Sequence, residues 1–235
     1  MEAHRALAKL TLSLRIAGRR SDGYHLLSSE MVTLDLADRL VFDEAGDGLE
    51  VVGPFGDVPS GSDNLVARAL LAVERRAFVR LEKAIRPGAG LGGGSADAAA
   101  VLRWAGCDDP VVAATLGADV PFCLSGGRAL VSGVGDIVQP LPLEEGIAYT
   151  LLTPPFGVST AAVYRAWDDL GGPTGDGPND LEPAAVSVEP RLRLWRDRLG
   201  NATGLAPCLA GSGSTWFVAG AFEVDGALVV HTASS

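Results

Sequence analysis

An α+β fold is predicted for this chain, on three observations. The first long segment alternates polar and apolar residues with period two. A glycine-rich loop runs straight into an alanine-rich helical pattern, and elsewhere β and α segments do not alternate as they do in a doubly wound sheet. With 235 residues, the chain can form one large domain or two small ones around a genuine core. A hydrophobic content of 47% and a mean hydropathy of +0.23 exclude general disorder.

Within 8–16, Leu10, Leu12, Leu14 and Ile16 fall on one face and Lys9, Thr11, Ser13 and Arg15 on the other, as in a half-buried strand. Ser21, Asp22 and Gly23 signal a hairpin. Strands are expected at 30–36, 39–42 and 49–52. Ser62 or Asp63 then caps an amphipathic helix that runs to about Arg76, with Leu65, Ala69 and Ala72 inward. Residues 78–85 read as a strand leading to the glycine loop, and the helix after it, from Asp97 to Trp104, ends at Gly106. Asp109 and Pro110 open a short helix stopped at Gly117. Strands near Phe122, Ala129 and Ile137 complete a first half.

The composition shifts after Pro140 and Pro142. A strand at 148–153 meets Pro154 and Pro155, Ser159 caps a helix through Trp167, and a Gly- and Pro-rich loop covers 171–178. Helices are expected at 179–185 and 190–199, the second ended by Gly200, and strands at 205–209, 215–218 and 227–232. There is no internal repeat. Two domains are expected, 1–145 and 146–235.

The most informative stretch is Pro87 to Ala98, with five glycines in a dozen residues. Backbone without side chains lets several N–H groups turn toward one point, and a helix start adds unpaired donors and the positive end of its dipole. Such a cradle suits an anion, most often phosphate. A Walker loop is excluded, because Gly93 and Gly94 stand where its glycine and lysine would precede Ser95. Gly88, Gly90 and Gly93 match a dinucleotide fingerprint literally, but Pro87 interrupts the approach and no second strand carries a ribose-binding acid. A flexible linker is the plain alternative, although linkers rarely feed an apolar helix.

Charge narrows the partners. The net charge of -10 argues against nucleic acid, so any positive contacts with an anionic ligand must be local. Of 19 basic residues only Lys9 and Lys83 are lysines, one in the first strand and one just ahead of the loop. Lysine is the usual point-charge partner of phosphate. Cys107, Cys123 and Cys208 are odd in number and form no CxxC pair, which fits a reducing cytoplasm rather than a disulfide framework or zinc site. No run of 18 uncharged apolar residues exists to span a membrane, and Glu2, His4 and Arg5 do not look like the start of a signal peptide.

Five segments in order resemble the GHMP small-molecule kinases: Ala8 to Leu12 around Lys9, Asp22-Gly23-Tyr24-His25, Gly90 to Asp97, Leu116 to Phe122 around Asp119, and Gly211 to Thr215. Asp63-Asn64-Leu65 and Asn179-Asp180-Leu181-Glu182 match as well. Within that family the chain is most similar to the kinases of a cytidine diphosphate-linked methylerythritol. The resemblance implies a two-domain GHMP kinase fold, with an N-terminal domain like domain 2 of ribosomal protein S5 and a ferredoxin-like C-terminal domain.

It also implies roles. ATP would lie along Pro87, Gly88, Gly90, Leu91, Gly92, Gly93, Gly94 and Ser95, with Asn64 beside them and Ser95 near Mg²⁺. Asp119 would take the proton from the acceptor hydroxyl, and Lys9 would keep Asp119 ionised and stabilise the developing charge. Thr11, Tyr24, His25, Thr160, Tyr164, Gly211 and Ser212 would hold the substrate, with Tyr164 stacked on cytosine. The implied activity is phosphorylation of the substrate's 2-hydroxyl in isoprenoid precursor synthesis by a monomer or homodimer. The alternatives are a GHMP kinase for another alcohol, of homoserine or mevalonate type, and a nucleotide-binding homologue impaired in catalysis.

Each assignment has a plainer counterpart. Asp119 could cap the turn before Pro121, His25 could be a surface hairpin residue, Tyr164 a packing residue, and Gly211 to Ser214 an ordinary turn. The chain also departs from the family pattern: Thr11 replaces Asn, Leu7 replaces Pro, Ala96 and Ala210 replace Ser, and Trp104 to Leu116 is short.

Overall fold

Two long strands, β1 (Ala3–Arg19) and β2 (His25–Asp43), pair antiparallel and turn at residues 20–24, where Gly23 takes φ +92°. The computed structural model describes residues 3–56, 58–174 and 177–234. The ladder slips between Leu7 and Lys9, Thr11 and Ser13, and Ile16 and Gly18. These bulges re-aim side chains, so the alternation expected at 8–16 does not hold. Leu10 joins a core cluster with Ala8, while Leu14 enters a different one. Of the residues expected on the polar face, Lys9 and Thr11 are buried, 4% and 1% exposed, while Ser13 is half-buried and Arg15 exposed.

The strands expected at 30–36 and 39–42 are both part of β2, which continues through a buried Asp38. Beside it lie β3 (Gly48–Val52), β4 (Phe78–Glu82), β5 (Arg128–Gly133) and β6 (Ile137–Leu141). The sheet order is β3-β4-β2-β5-β6, with β1 also on β2 and a parallel β3–β4 pair. Pro140 is tolerated because β6 is an edge strand.

Four helices belong to this half: α1 (Leu65–Ala72), α2 (Gly93–Trp104), α3 (Pro110–Leu116) and α4 (Val120–Ser125). Asn64, rather than Ser62 or Asp63, caps α1, and the helix stops at Ala72 instead of Arg76. Helix α2 begins at Gly93, four residues before its expected start, and Ala96 to Leu102 are buried all along it because alanines let neighbours approach closely. Asp109 caps α3 as expected, accepting from the Val111 N–H at 2.7 Å. Phe122 lies in α4, not in a strand. A short apolar run is ambiguous in period, and Pro121 in the first turn, with Gly126 after the last, marks a helix.

A second sheet, order β10-β7-β9-β8, is antiparallel throughout and is built from β7 (Ala148–Leu152), β8 (Cys208–Leu209), β9 (Trp216–Ala219) and β10 (Leu228–His231). Helices α5 (Thr160–Asp169), α6 (Glu182–Val188) and α7 (Leu192–Thr203) accompany it. The strand expected at 205–209 is thus only two residues long. Helix α6 starts at Glu182 because Asn179 turns the chain ahead of it, its Oδ1 accepting from the Leu181 N–H at 2.9 Å. Helix α7 runs through Gly200 and ends at Gly204, φ +71°. Gly200 serves close packing, since a Cβ there would come within 3.3 Å of Pro207. The loop expected at 171–178 includes 175 and 176, which lie outside the described residues.

Two core clusters belong mainly to one sheet each. A third contains Ala8, Val32 and Leu34 from the first sheet, Leu91 from the glycine loop, and Leu151, Phe217 and Val230 from the second. Single bridges, Leu14 with Asn179 and Leu34 with Thr232, add backbone ties.

Candidate active site

The glycine loop is shaped by what it touches. Gly90, φ +84°, lies so close to the 210–213 turn that a Cβ would sit 2.1 Å from the Ala210 carbonyl oxygen. Gly92, φ +69°, faces the stem of Lys9, whose Cγ would be 2.7 Å from an added Cβ. Only glycine fits both the left-handed backbone and the space. The loop is pinned by Lys9 N–H to the Leu91 carbonyl (3.0 Å) and Thr215 N–H to the Ala89 carbonyl (3.0 Å). Gly92 caps α2 without a side-chain bond, and the first intrahelical bond runs from Ala96 N–H to the Gly92 carbonyl. The N–H groups of Gly93, Gly94 and Ser95 therefore have no acceptor within the helix.

These groups border a cavity of about 350 Å³, lined by Pro87, Gly88 and Gly90 to Ser95 together with Asn64. Asn64 is also committed to its helix: its Oδ1 accepts from Val66 N–H and its Nδ2 donates to the Pro59 carbonyl. A second cavity of about 550 Å³ opens beside the first and is lined by Thr11, Tyr24, His25, Thr160, Tyr164, Gly211 and Ser212, among others. Lys9, Ser95, Asp119, Thr160 and Ser212 border both cavities.

At that seam the Lys9 Nζ lies 3.4 Å from Asp119 Oδ2 and donates to Thr11 Oγ1 at 2.9 Å. The Asp119 side chain is 34% exposed and makes no capping bond, although it stands at the N-cap of α4. The plain capping role is thus not the one its carboxylate fills. Neighbouring Cys123 is buried, which pushes its thiol up to about 12, so it stays protonated and is no nucleophile.

The second cavity is walled by aromatic rings. Tyr164 lies against His25 with the rings tilted by 31° and centroids 4.9 Å apart, and Trp167 meets the same imidazole edge-on at 5.4 Å. Burial, and then the negative Asp119, push the Tyr164 phenol up to about 12, so it remains neutral. His25 Nε2 pairs with Asp168 Oδ1 at 2.8 Å, and Arg19 reaches the other Asp168 oxygen at 3.4 Å. Tyr24 is 63% exposed at the rim. Thr160 and Ser212 share a hydroxyl contact of 2.9 Å.

The cavities thus bring together every site residue expected from the sequence. Others went unassigned. Asp168 falls four residues after Tyr164, on the same face of α5, a spacing that could have marked it. Asn179, 1% exposed, donates to the Leu209 and Gly211 carbonyls and so sets the turn above Lys9. Lys83 is paired with Asp38 and Asp97, both buried, at the edge of the glycine-lined cavity, where a free phosphate ligand was expected. Burial pushes the Asp97 carboxyl up to about 7, against the pull of Lys83.

Among known proteins, a 4-diphosphocytidyl-2-C-methyl-D-erythritol kinase of Pelotomaculum thermopropionicum is 39% identical over 90% of this chain and 86% of its own. The chain belongs to that kinase family. A solved structure of 4-(cytidine 5'-diphospho)-2C-methyl-D-erythritol kinase aligns over 99% of this chain and 100% of its own, with a TM-score of 0.75 and 33% identity. Residues 64–127 match the GHMP kinases N terminal domain. A homoserine kinase of Cytophaga hutchinsonii shares the fold alone, at 17% identity and a TM-score of 0.60. The α+β architecture is that of the GHMP kinases. Among the described residues no helix is long and apolar enough to cross a membrane.

Proposed function

We propose that the chain transfers the γ-phosphoryl group of ATP to the 2-hydroxyl of 4-diphosphocytidyl-2-C-methyl-D-erythritol, a step of non-mevalonate isoprenoid precursor synthesis in the cytoplasm. The observation that carries this is the Lys9–Asp119 pair, 3.4 Å apart at the seam of a glycine-lined cavity and an aromatic one. Family membership supports the substrate, and the 145/146 division into two domains is part of the same proposal.

The triphosphate lies on N–H groups of Gly93, Gly94 and Ser95 at the positive end of α2. The alcohol enters from the aromatic side, its base against Tyr164 and His25. Asp119 Oδ2 accepts the hydroxyl proton as the oxygen attacks. The Lys9 ammonium, positioned by Thr11 on one side and Gly92 on the other, balances charge building on the transferred group. Seclusion of Lys9 from water strengthens that attraction.

The donor set also fits Mg²⁺. No cluster of three or more His, Cys, Asp or Glu exists among the described residues, but Mg²⁺ is commonly held by one or two protein oxygens plus phosphates. The Ser95 hydroxyl and the Asp119 carboxylate border the same cavity and would hold it. When bound it neutralises phosphate charge.

The test is ATP turnover across a panel of alcohols. Turnover with the cytidine-linked methylerythritol, well above that with homoserine or mevalonate, is expected. A folded protein that turns over none of them while binding ATP overturns the proposal.

A further inference from the structure

Ten residues connect the end of β4 to the start of α2, and three of them are glycines, so the backbone entering the nucleotide cavity has little stiffness of its own. What orders it is a buried ionic network. The Asp38 Oδ1 accepts from two consecutive backbone N–H groups, Ala84 at 2.6 Å and Ile85 at 2.8 Å. Its Oδ2 accepts from the Lys83 ammonium, which reaches on to Asp97 Oδ2 at 2.7 Å. One lysine thus joins the middle of β2, the exit of β4 and the opening of α2. Asp38 is 0% exposed, Asp97 3% and Lys83 7%.

Two further facts place the network against the nucleotide cavity. Lys83 and Asp97 both border it, and the ammonium lies 3.2 Å from where a Cβ on Gly93 would stand. The remaining Asp97 oxygen, Oδ1, is buried and has no hydrogen-bond partner among the described residues. A buried ion network is weak evidence of stability, because well-packed apolar residues often do as well. What charged groups add is direction: each bond fixes one segment at one angle.

We infer that Lys83, gripped by Asp38 and Asp97, is a positioning residue for the nucleotide. It sets the first turn of α2 in the orientation that aims the Gly93, Gly94 and Ser95 N–H groups into the cavity. The inference rests on the ATP reading of that cavity. Lys83 acts through the loop and transfers no proton, so its loss moves affinity for ATP and leaves the chemical step alone.

Asp97→Asn tests it, because it keeps size and shape while removing the charge that holds the ammonium against α2. KM for ATP is expected to rise about tenfold, the worth of one well-placed charged hydrogen bond, with kcat and the alcohol KM within about twofold. Asp97→Glu, which restores the charge one methylene further out, should recover part of the loss. Should Asp97→Asn fail to fold, Lys83→Arg, which keeps both carboxylates paired but shifts the contact point, carries the same measurement. An ATP KM within about twofold of the unaltered protein, or equal changes in kcat and both KM values, overturns the inference. If the unaltered protein itself binds no ATP, the reading of the cavity falls too, and that is seen before any variant is made.

Discussion

The middle of β1 and the exit of β4 each bury a lysine against aspartate, and the two sites are built to opposite ends. Lys9 faces one carboxylate, Asp119, which is one-third exposed and makes no capping bond to the helix it precedes. Lys83 faces two carboxylates that are almost wholly buried, and one of them is locked to the backbone by two N–H donors. The first pair leaves a lone pair and a charge open to an incoming group. The second leaves over only the buried Asp97 Oδ1 and ties three segments together. The difference lies in what each carboxylate has left over, not in the lysine.

Substitution at each site sharpens that contrast. Asp119→Asn is expected to cut kcat about a thousandfold, the scale of a lost general base, with thermal stability unchanged; ADP release and a melting curve report both. Lys83→Met should do the reverse. It strands two buried carboxylates and costs about 3 to 5 kcal/mol of stability, read by denaturant titration, whereas Lys9→Met inactivates and costs under about 1 kcal/mol. A Lys9→Met protein as unstable as Lys83→Met would erase the distinction.

Gly90→Ala drives a methyl into the Ala210 carbonyl at a left-handed position. A loss of about 2 to 4 kcal/mol, seen as a lowered melting midpoint, is expected, with weakened ATP binding. Tyr164→Ala should raise KM for the cytidine substrate about tenfold while the ATP KM stays put, as expected for one stacked base.

The smallest effect is on pH. Burial raises the Glu182 carboxyl above its ordinary 4.5 against the pull of Arg196. The folded state therefore holds that proton more tightly than the unfolded one, and stability falls as pH rises through the raised value. Glu182→Gln should flatten that decline in melting midpoint just above pH 4.5. An unchanged slope would remove Glu182 as its source.

Legibility in the sequence followed how locally each role is encoded. The glycine loop and Lys9 stood out by residue type, since a backbone cradle needs glycine and a rare lysine marks a point charge. Asp119 stood out only through the resemblance to the GHMP kinases; the three border one cavity. Asp109 capping α3 was readable by residue type as well. Asp38 was not, since its partners lie 45 to 47 residues away and nothing beside it in the chain signals them. Asn179 reaches 30 and 32 residues to the turn at 209–211. Helix α4 was misread because a short apolar run has no clear period, and the alternation in β1 gave no warning of three bulges. Trp216 is fully buried, and its indole nitrogen has no partner among the described residues.

The core cluster shared by both sheets has a dynamic consequence. Leu34 of one sheet and Val230 of the other pack in a single apolar body, and Thr33 and Ala233 are joined by a backbone hydrogen bond across the same boundary. A hinge opening there would tear apolar surface into water, so the halves move as one block. Access to the aromatic cavity is then a matter of rim side chains such as Tyr24, 63% exposed, and not of parting the two sheets.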